Sequence, residues 1–260
     1  MSILSFSEGY RQYFEVIPAV TDALKRQNYR LRHEVYCRDL GFEPLCDNGL
    51  ETDAYDRHSL HCLIRALVSG AFVGCARLVL ADPLNPQDPL PFESACAATL
   101  NRQIIDTGKL DRSKIAEISR LAILGRYRQR QGEACQPFAL ETHLGEGYQL
   151  RLPYLPVAMY LALLAVARRQ GIETLFVLTE PTLARNINCL GGELTPIGGA
   201  IEHRGTRVPA MVAVAATIDG MNSYVRPFFE LIANEVDVGM APTSDEVTTN
   251  EHSIGSLLRA

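Results

Sequence analysis

Apolar positions along the chain change their spacing several times, and each change marks an element. In "VTDALKRQNYRLRHEVYCRDLG" Ala23, Leu24, Leu31, Val35 and Tyr36 recur near helical spacing, and Gly41 is a natural C-terminal stop. A short strand is expected at 11–17, ahead of that helix. "SLHCLIRAL" and "AFVGCARLVLA", separated by "VSG", predict an antiparallel hairpin. The proline-rich connection "DPLNPQDPLPFE" follows, with a helix expected in 93–107. "IAEISRLAIL" (115–124) predicts a strand, and the polar, Gly/Gln/Arg-rich stretch 126–153 a loop insertion. A long apolar helix is expected at 154–170, then a strand at "TLFVLTE" ended by Pro181. "PTLARNINCLGG" predicts a short helix, "GGELTPIGGAIEHRG" a turn between strands, "VPAMVAVAA" a strand and "YVRPFFELIANEV" a C-terminal helix. The order β, α, ββ, (α), β, α, β, α, β describes one mixed α/β domain around a single sheet, spanning 1–238. The polar residues 239–260 are expected to form a disordered tail.

The strand at 115–124 breaks its own pattern, because Glu117, Ser119 and Arg120 interrupt the apolar run. Buried charge without a partner loses its hydration uncompensated. Side chains alternate along a strand, so Glu117 and Ser119 share one face and Arg120 takes the other. For Glu117 and Arg120 to serve one pocket, an extra residue must be inserted between them. A β-bulge is therefore expected near 118–120.

Three further stretches carry polar residues against the pattern: Arg32, Tyr36 and Phe42 in "RLRHEVYCRDLGFE", Glu51, Asp53 and Asp56 in "ETDAYDRHS", and Arg77 in "VGCARLVL". These acids and arginines either neutralise one another structurally or line a polar pocket. In such a pocket the acids would hold an ammonium group and the arginines would fork onto a carboxylate.

Composition narrows the field. A chain of 260 residues, 47% hydrophobic and 21% charged, is ordinary for a globular protein, and its net charge of −5 argues against a general nucleic-acid binder. The N-terminus lacks the pattern of a secretory signal. The longest apolar run, "YLPVAMYLALLAVA", is too short to span a bilayer and ends in Arg168 and Arg169, so no integral membrane segment is expected. Seven scattered cysteines without a CxxC pair point to reduced thiols in the cytoplasm, and six histidines show no metal-ligand spacing, so no metal is expected.

The ordered set "RLRHEVYCRDLGFEP…ETDAYDRHS…FVGCARLVL…EISRLAIL" resembles the core signature of the acyl-homoserine-lactone synthases and their N-acyl amino acid synthase relatives, within the GNAT acyltransferase superfamily. "DPLPFE", "SRLAILGRYRQR" and "RGTRVPAMV" resemble, more closely, the PEP-CTERM/exosortase system-associated acyltransferases. The resemblance extends over about residues 10–230. It implies a GNAT-like α/β fold, with a mixed, mostly antiparallel sheet flanked by helices and two strands that splay apart to admit a thioester arm. It assigns Arg32, Tyr36, Phe42, Asp53, Arg77 and Ser119 to substrate binding, and Glu117, Arg120 and Asp56 to catalysis. Two positions depart from the homoserine-lactone synthase pattern: Leu121 stands where an aromatic usually follows the Glu-x-Ser-Arg motif, and Phe42 stands where that pattern has Trp. Both departures favour an amino acid-like acceptor over S-adenosylmethionine.

The implied activity is transfer of a long-chain acyl group from a thioester, on acyl-carrier protein phosphopantetheine or as acyl-CoA, to the amine of a small acceptor. Glu117 is the expected general base, working through a water. Asp53 and Asp56 would orient the amine or loop arginines, and Arg77 and Arg120 would bind the acceptor's carboxylate or simply balance the acids. "QRQGEA" (129–134) fits the superfamily's phosphate-cradling pattern, which marks Gly132 as a donor contact. Arg126, Arg128 and Arg130 would meet the thioester carrier, an acidic acyl-carrier protein by charge complementarity. A synthase using S-adenosylmethionine and a non-catalytic thioester-binding domain are the rival readings.

Overall fold

In a computed structural model, the structure describes residues 6–128, 139–143, 149–189 and 193–242. Ten strands occur in these residues: β1 (Phe14–Pro18), β2 (Ser59–Ala66), β3 (Phe72–Leu80), β4 (Ile115–Ile123), β5 (Ala139–His143), β6 (Gln149–Pro153), β7 (Thr174–Thr179), β8 (Thr195–Pro196), β9 (Ile201–Glu202) and β10 (Thr206–Ala213). The main sheet runs β1-β2-β3-β4-β7-β10-β8, with β9 also on β10, while β5 and β6 pair apart from it. Every pairing is antiparallel except β4 with β7. That parallel pair spans only Ile115–Ile118 against Thr174–Val177. Beyond Ile118, β4 continues along β3 to Ile123, and β7 continues along β10 to Thr179. The two central strands thus part halfway along the sheet.

The helices are α1 (Phe6–Tyr13), α2 (Asp22–Arg32), α3 (Pro91–Ala95), α4 (Tyr154–Arg169), α5 (Pro181–Cys189), α6 (Val214–Asp219) and α7 (Arg226–Gly239). Helix α4 is buried at Leu155 and from Val157 to Ala167. A helix that is apolar all round belongs inside a protein, so the run expected as a core helix is one. It packs with α7 against the sheet face that carries Cys62, Ile64, Ala76, Leu78, Ala116, Ile118, Leu175 and Val177.

The opposite face is divided. At one end Leu63, Cys75 and Ala122 pack with Leu31 and Val35 of α2 and its extension. At the other end Val79, Ile115 and Phe176 pack with Leu90, Phe92 and Ile197. On β3 the same-face order is therefore Cys75, Arg77, Val79, and on β4 it is Ile115, Glu117, Ser119. The polar residues fill the gap between two apolar clusters.

The proline-rich connection is held in place by one side chain. Arg112 forks onto Glu93 (3.1 and 2.9 Å) and donates to the carbonyls of Pro86 (3.1 Å) and Asp88 (2.8 Å). Glu93 accepts in turn from the Leu90 amide at 2.7 Å, which closes the N-terminus of α3. The Phe92 ring lies on Phe176 with centroids 4.4 Å apart, and so fixes α3 over β4 and β7.

Several expectations are corrected. The first residues of the strand expected at 11–17 lie in α1, and the helix expected within 93–107 is the single turn α3 followed by hydrogen-bonded turns such as Thr99 and Leu100 onto Cys96. The stretch expected as a loop insertion contains the antiparallel pair β5 and β6, whose register sets Leu140 opposite Leu152 and Glu141 opposite Arg151. Averaged over 126–153, polarity hides the short alternation of Leu150 and Leu152 with polar residues that marks β6. "GGELTPIGGAIEHRG" contains β8 and β9, both laid on β10, and the strand expected through Ala216 ends at Ala213, where α6 begins. The tail expected at 239–260 lies, from residue 243, outside the described residues.

Replacing Phe92 with Ala removes the stacked ring that seats α3. Urea unfolding is expected to show a loss of about 3–5 kcal/mol. A loss under about 1 kcal/mol would show that α3 is held by other contacts.

Candidate active site

The acids are positioned by a local device. Asp53 caps the 3₁₀ turn Ala54–His58 by accepting from the Tyr55 amide at 2.9 Å, and Asp56 reaches back to the Asp53 amide at 2.8 Å. This reciprocal capping box holds the two carboxylates side by side just before β2. Each keeps lone pairs for the arginines.

Arg77, only 1% exposed, spends its guanidinium on this pair: Nη1 donates to Asp53 Oδ1 (2.6 Å) and Asp56 Oδ1 (2.7 Å), Nη2 to Asp53 Oδ2 (2.8 Å) and Nε to the Ser119 hydroxyl (2.9 Å). Arg32, fully buried at the end of α2, donates Nη1 to Asp56 Oδ1 at 2.6 Å and Nε to Glu51. Burial alone would oppose ionisation of both aspartates. The Arg32 hydrogen bond and the Arg32 and Arg77 charges instead bring Asp56 down to about 2, and the Arg77 and Arg120 charges bring Asp53 below its usual range. Both are ionised at neutral pH.

Helix α2 begins with Thr21 accepting from the Leu24 amide and continues after Arg32 as a wide π-helical segment, His33–Asp39, whose end is marked by Gly41 at φ 63°. The wide turn places Tyr36 and Phe42 against each other, ring centroids 6.5 Å apart, at the edge of the network. The Tyr36 hydroxyl donates to the Leu121 carbonyl at 2.7 Å.

That carbonyl belongs to the expected bulge. Cys75 faces Ala122 and Arg77 faces Ser119, so Ala76 alone stands opposite Arg120 and Leu121. Arg120 takes up the extra residue with φ 52°. Leu121 packs into the α4 core, while the Arg120 guanidinium crosses to Glu51 (3.2 Å), Asp53 (3.0 Å) and Glu43 (3.4 Å) on the face of Ser119. The insertion does what the sequence required of it: Glu117, Ser119 and Arg120 share a face.

Glu117 lies beside this network but outside its hydrogen bonds to arginine. It is 3% exposed, and its Oε2 accepts from the Phe92 amide of α3 at 2.7 Å. Burial is the leading influence, and it outweighs the Phe92 amide and the more distant Arg77 charge. Its pKa is pushed up to about 8. Once ionised, above that value, such a carboxylate is basic enough to accept a proton from an ammonium group.

The structure brings together Arg32, Tyr36, Phe42, Asp53, Asp56, Arg77, Ser119 and Arg120, with Glu117 adjoining. Two partners were not foreseen as site residues, Glu43 and Arg204. Glu43 follows the aromatic Phe42, and Arg204 sits in the turn between β9 and β10; no residue spacing links positions so far apart. The carrier residues stand elsewhere. Arg126 lies over the Tyr127 ring at 5.2 Å and Arg128 pairs with Asp39, while Arg130 and Gly132 lie outside the described residues.

The family described as acetyltransferase (GNAT) domain matches residues 31–136, the segment from the end of α2 past β4. A search of curated proteins by sequence gives no match. Among solved structures, the chain is similar to TofI in a ternary complex with an inhibitor and MTA (17% identity, 85% of this chain and 99% of that one, TM-score 0.56). It is similar to the CoA-dependent acyl-homoserine lactone synthase BjaI with SAM and isopentyl-CoA (18%, 85% and 89%, TM-score 0.56). It is also similar to FeeM, an N-acyl amino acid synthase from uncultured soil microbes (13%, 83% and 97%, TM-score 0.52). The fold is a GNAT-like α/β fold with a mixed, mostly antiparallel sheet flanked by helices.

Glu117 also marks the stability curve. From the ordinary carboxylate value to about 8, the folded chain keeps a proton that the unfolded chain has released. Raising the pH across this window therefore destabilises the fold, by at most about 1.4 kcal/mol per pH unit. Glu117→Gln removes the titration, so its stability relative to wild type is expected to grow from pH 5 to pH 8 in urea melts. A constant difference would contradict the raised pKa.

Proposed function

We propose that the chain is an N-acyltransferase that moves a long-chain acyl group from a thioester, on acyl-carrier protein or CoA, to the amine of an amino acid-like acceptor. The reading rests on Glu117, a buried carboxyl pushed up to about 8, beside an otherwise neutralised charge network where β4 leaves β7. The GNAT-like fold supports it, since FeeM is described as an N-acyl amino acid synthase. The resemblance to exosortase-associated acyltransferases supports the same acceptor class.

In this reading the acceptor's ammonium group loses its proton through a water to Glu117. The free amine attacks the thioester carbonyl, a C–N bond forms, the C–S bond breaks and the thiolate leaves, taking up a proton. Backbone amides of β4 near Ser119–Ala122, beyond the last pairing with β7, stabilise the oxyanion. Asp53 and Asp56 take a positioning role instead of direct proton transfer, because their oxygens are engaged by Arg32, Arg77 and backbone amides. Arg32 and Arg77 likewise hold the wall, since both are buried and committed to carboxylates. Arg126, exposed at the end of β4, is assigned to the carrier.

S-adenosylmethionine is the rival amine donor, because BjaI, described with SAM and isopentyl-CoA, shares the fold. Purified protein is to be assayed with long-chain acyl-CoA and acyl-acyl-carrier protein, each with free amino acids and with S-adenosylmethionine, and products read by mass. N-acyl amino acid is expected, with kcat rising to a plateau above pH 8 and falling about 10²–10⁴-fold in Glu117→Gln. Product from S-adenosylmethionine alone, or an unaltered kcat in the variant, would overturn the proposal.

A further inference from the structure

Arg120 and Arg204 share a backbone property. Among the described residues they are the two non-glycine positions with left-handed φ, 52° and 55°. Residues with a Cβ resist this conformation, and it persists where surrounding contacts impose it, often at ligand clamps. The two arginines come from different parts of the chain, the β4 bulge and the turn between β9 and β10. Both aim a guanidinium at one oxygen, Glu43 Oε1: Arg120 Nη2 at 3.4 Å and Arg204 Nη2 in closer contact.

The arginines of the network differ in access to solvent. The side chains of Arg32 and Arg77 are 0% and 1% exposed, whereas Arg120, Arg204 and Glu43 are 17%, 25% and 21% exposed. A ligand can therefore reach this end of the network without dismantling the buried end. The surroundings are cationic. Burial and the neighbouring Arg207 lower the pKa of Arg204, and burial with the Arg120 and Arg207 charges lowers that of His203, whose Nε2 lies 3.3 Å from Arg204 Nη1. Glu43 is joined to the fold by its own short segment, its amide donating to the Tyr36 carbonyl at 3.1 Å. Its side chain can swing outward while that amide stays bound.

We infer that Arg120 and Arg204 form a clamp for the α-carboxylate of the acceptor, and that Glu43 occupies the clamp until the acceptor's carboxylate displaces it. The inference rests on the acyl-transfer reading above and names the part of the acceptor that the site selects. Planar guanidinium groups suit a carboxylate, and a site built around such a pairing rejects an analogue that cannot satisfy it. Arg77, the other arginine expected to take this role, is 1% exposed and commits four of its five N–H groups to Ser119, Asp53 and Asp56.

Calorimetric titration of the full chain with each free amino acid, with the corresponding primary amide, and with CoA tests the clamp without requiring turnover. At least one amino acid is expected to bind about ten-fold or more tighter than its amide, the scale of a lost charged hydrogen bond. Arg204→Ala is expected to erase that preference and leave CoA binding unaltered. Glu43→Gln removes the competing carboxylate and is expected to tighten the acid, but not the amide, several-fold; a purely structural role for Glu43 predicts no gain. Equal binding of acid and amide, no measurable binding of any acid, weaker acid binding in Glu43→Gln, or a loss confined to CoA in Arg204→Ala would each overturn the clamp. Acid-selective binding in a protein that yields no acylated product would overturn the acyl-transfer reading and leave the clamp standing. Product formation without acid selectivity would do the reverse.

Discussion

Arg77 ties together parts of the chain that would otherwise have no reason to meet. Its guanidinium, buried between two apolar clusters, must be paired on every side. The pairing binds the capped turn at Asp53 and Asp56 to β3, and through Ser119 to β4. Asp56 passes the constraint to Arg32 and so to the end of α2, and Asp53 passes it to Arg120 in the bulge. Four arginines (Arg32, Arg77, Arg120 and Arg204) meet four carboxylates (Glu43, Glu51, Asp53 and Asp56), and the charges balance within the network.

This balance explains why Glu117 behaves differently from its neighbours. Asp56 accepts directly from Arg32 and Arg77, and its pKa lies near 2. Glu117 shares the sheet face of Arg77, but the arginines spend their hydrogen bonds on other carboxylates. Its own partner is a neutral backbone amide, and burial dominates. Two carboxyls, both near Arg77, thus take opposite protonation states because one lies inside the charge network and the other beside it.

Much of this was legible in the sequence, and the illegible parts have physical reasons. A face shared by Glu117 and Arg120 demanded an inserted residue, and the bulge lies at Arg120–Leu121, at the edge of the expected 118–120 window. The hairpin of β2 and β3 and the buried helix α4 followed from apolar runs. The short helix α3 did not, because its position depends on Arg112 and on the Phe92–Phe176 stack, contacts between residues far apart in the chain. The roles of Arg77 and Arg120 were left open between carboxylate binding and charge balance; burial of Arg77 and its hydrogen bonds to Asp53, Asp56 and Ser119 favour balance there. Glu43 and Arg204 escaped notice because a lone acid between Phe42 and Pro44 and an arginine in a glycine-containing turn look like surface residues until the fold joins them.

The central claim is that burial beside a neutralised network keeps the Glu117 carboxyl protonated at neutral pH. Carbon-13 NMR of chain labelled at glutamate carboxyls, assigned by the loss of one signal in Glu117→Gln, reads that titration directly. The account predicts a midpoint near 8. A midpoint at the ordinary carboxylate value, about 4.3, would contradict it.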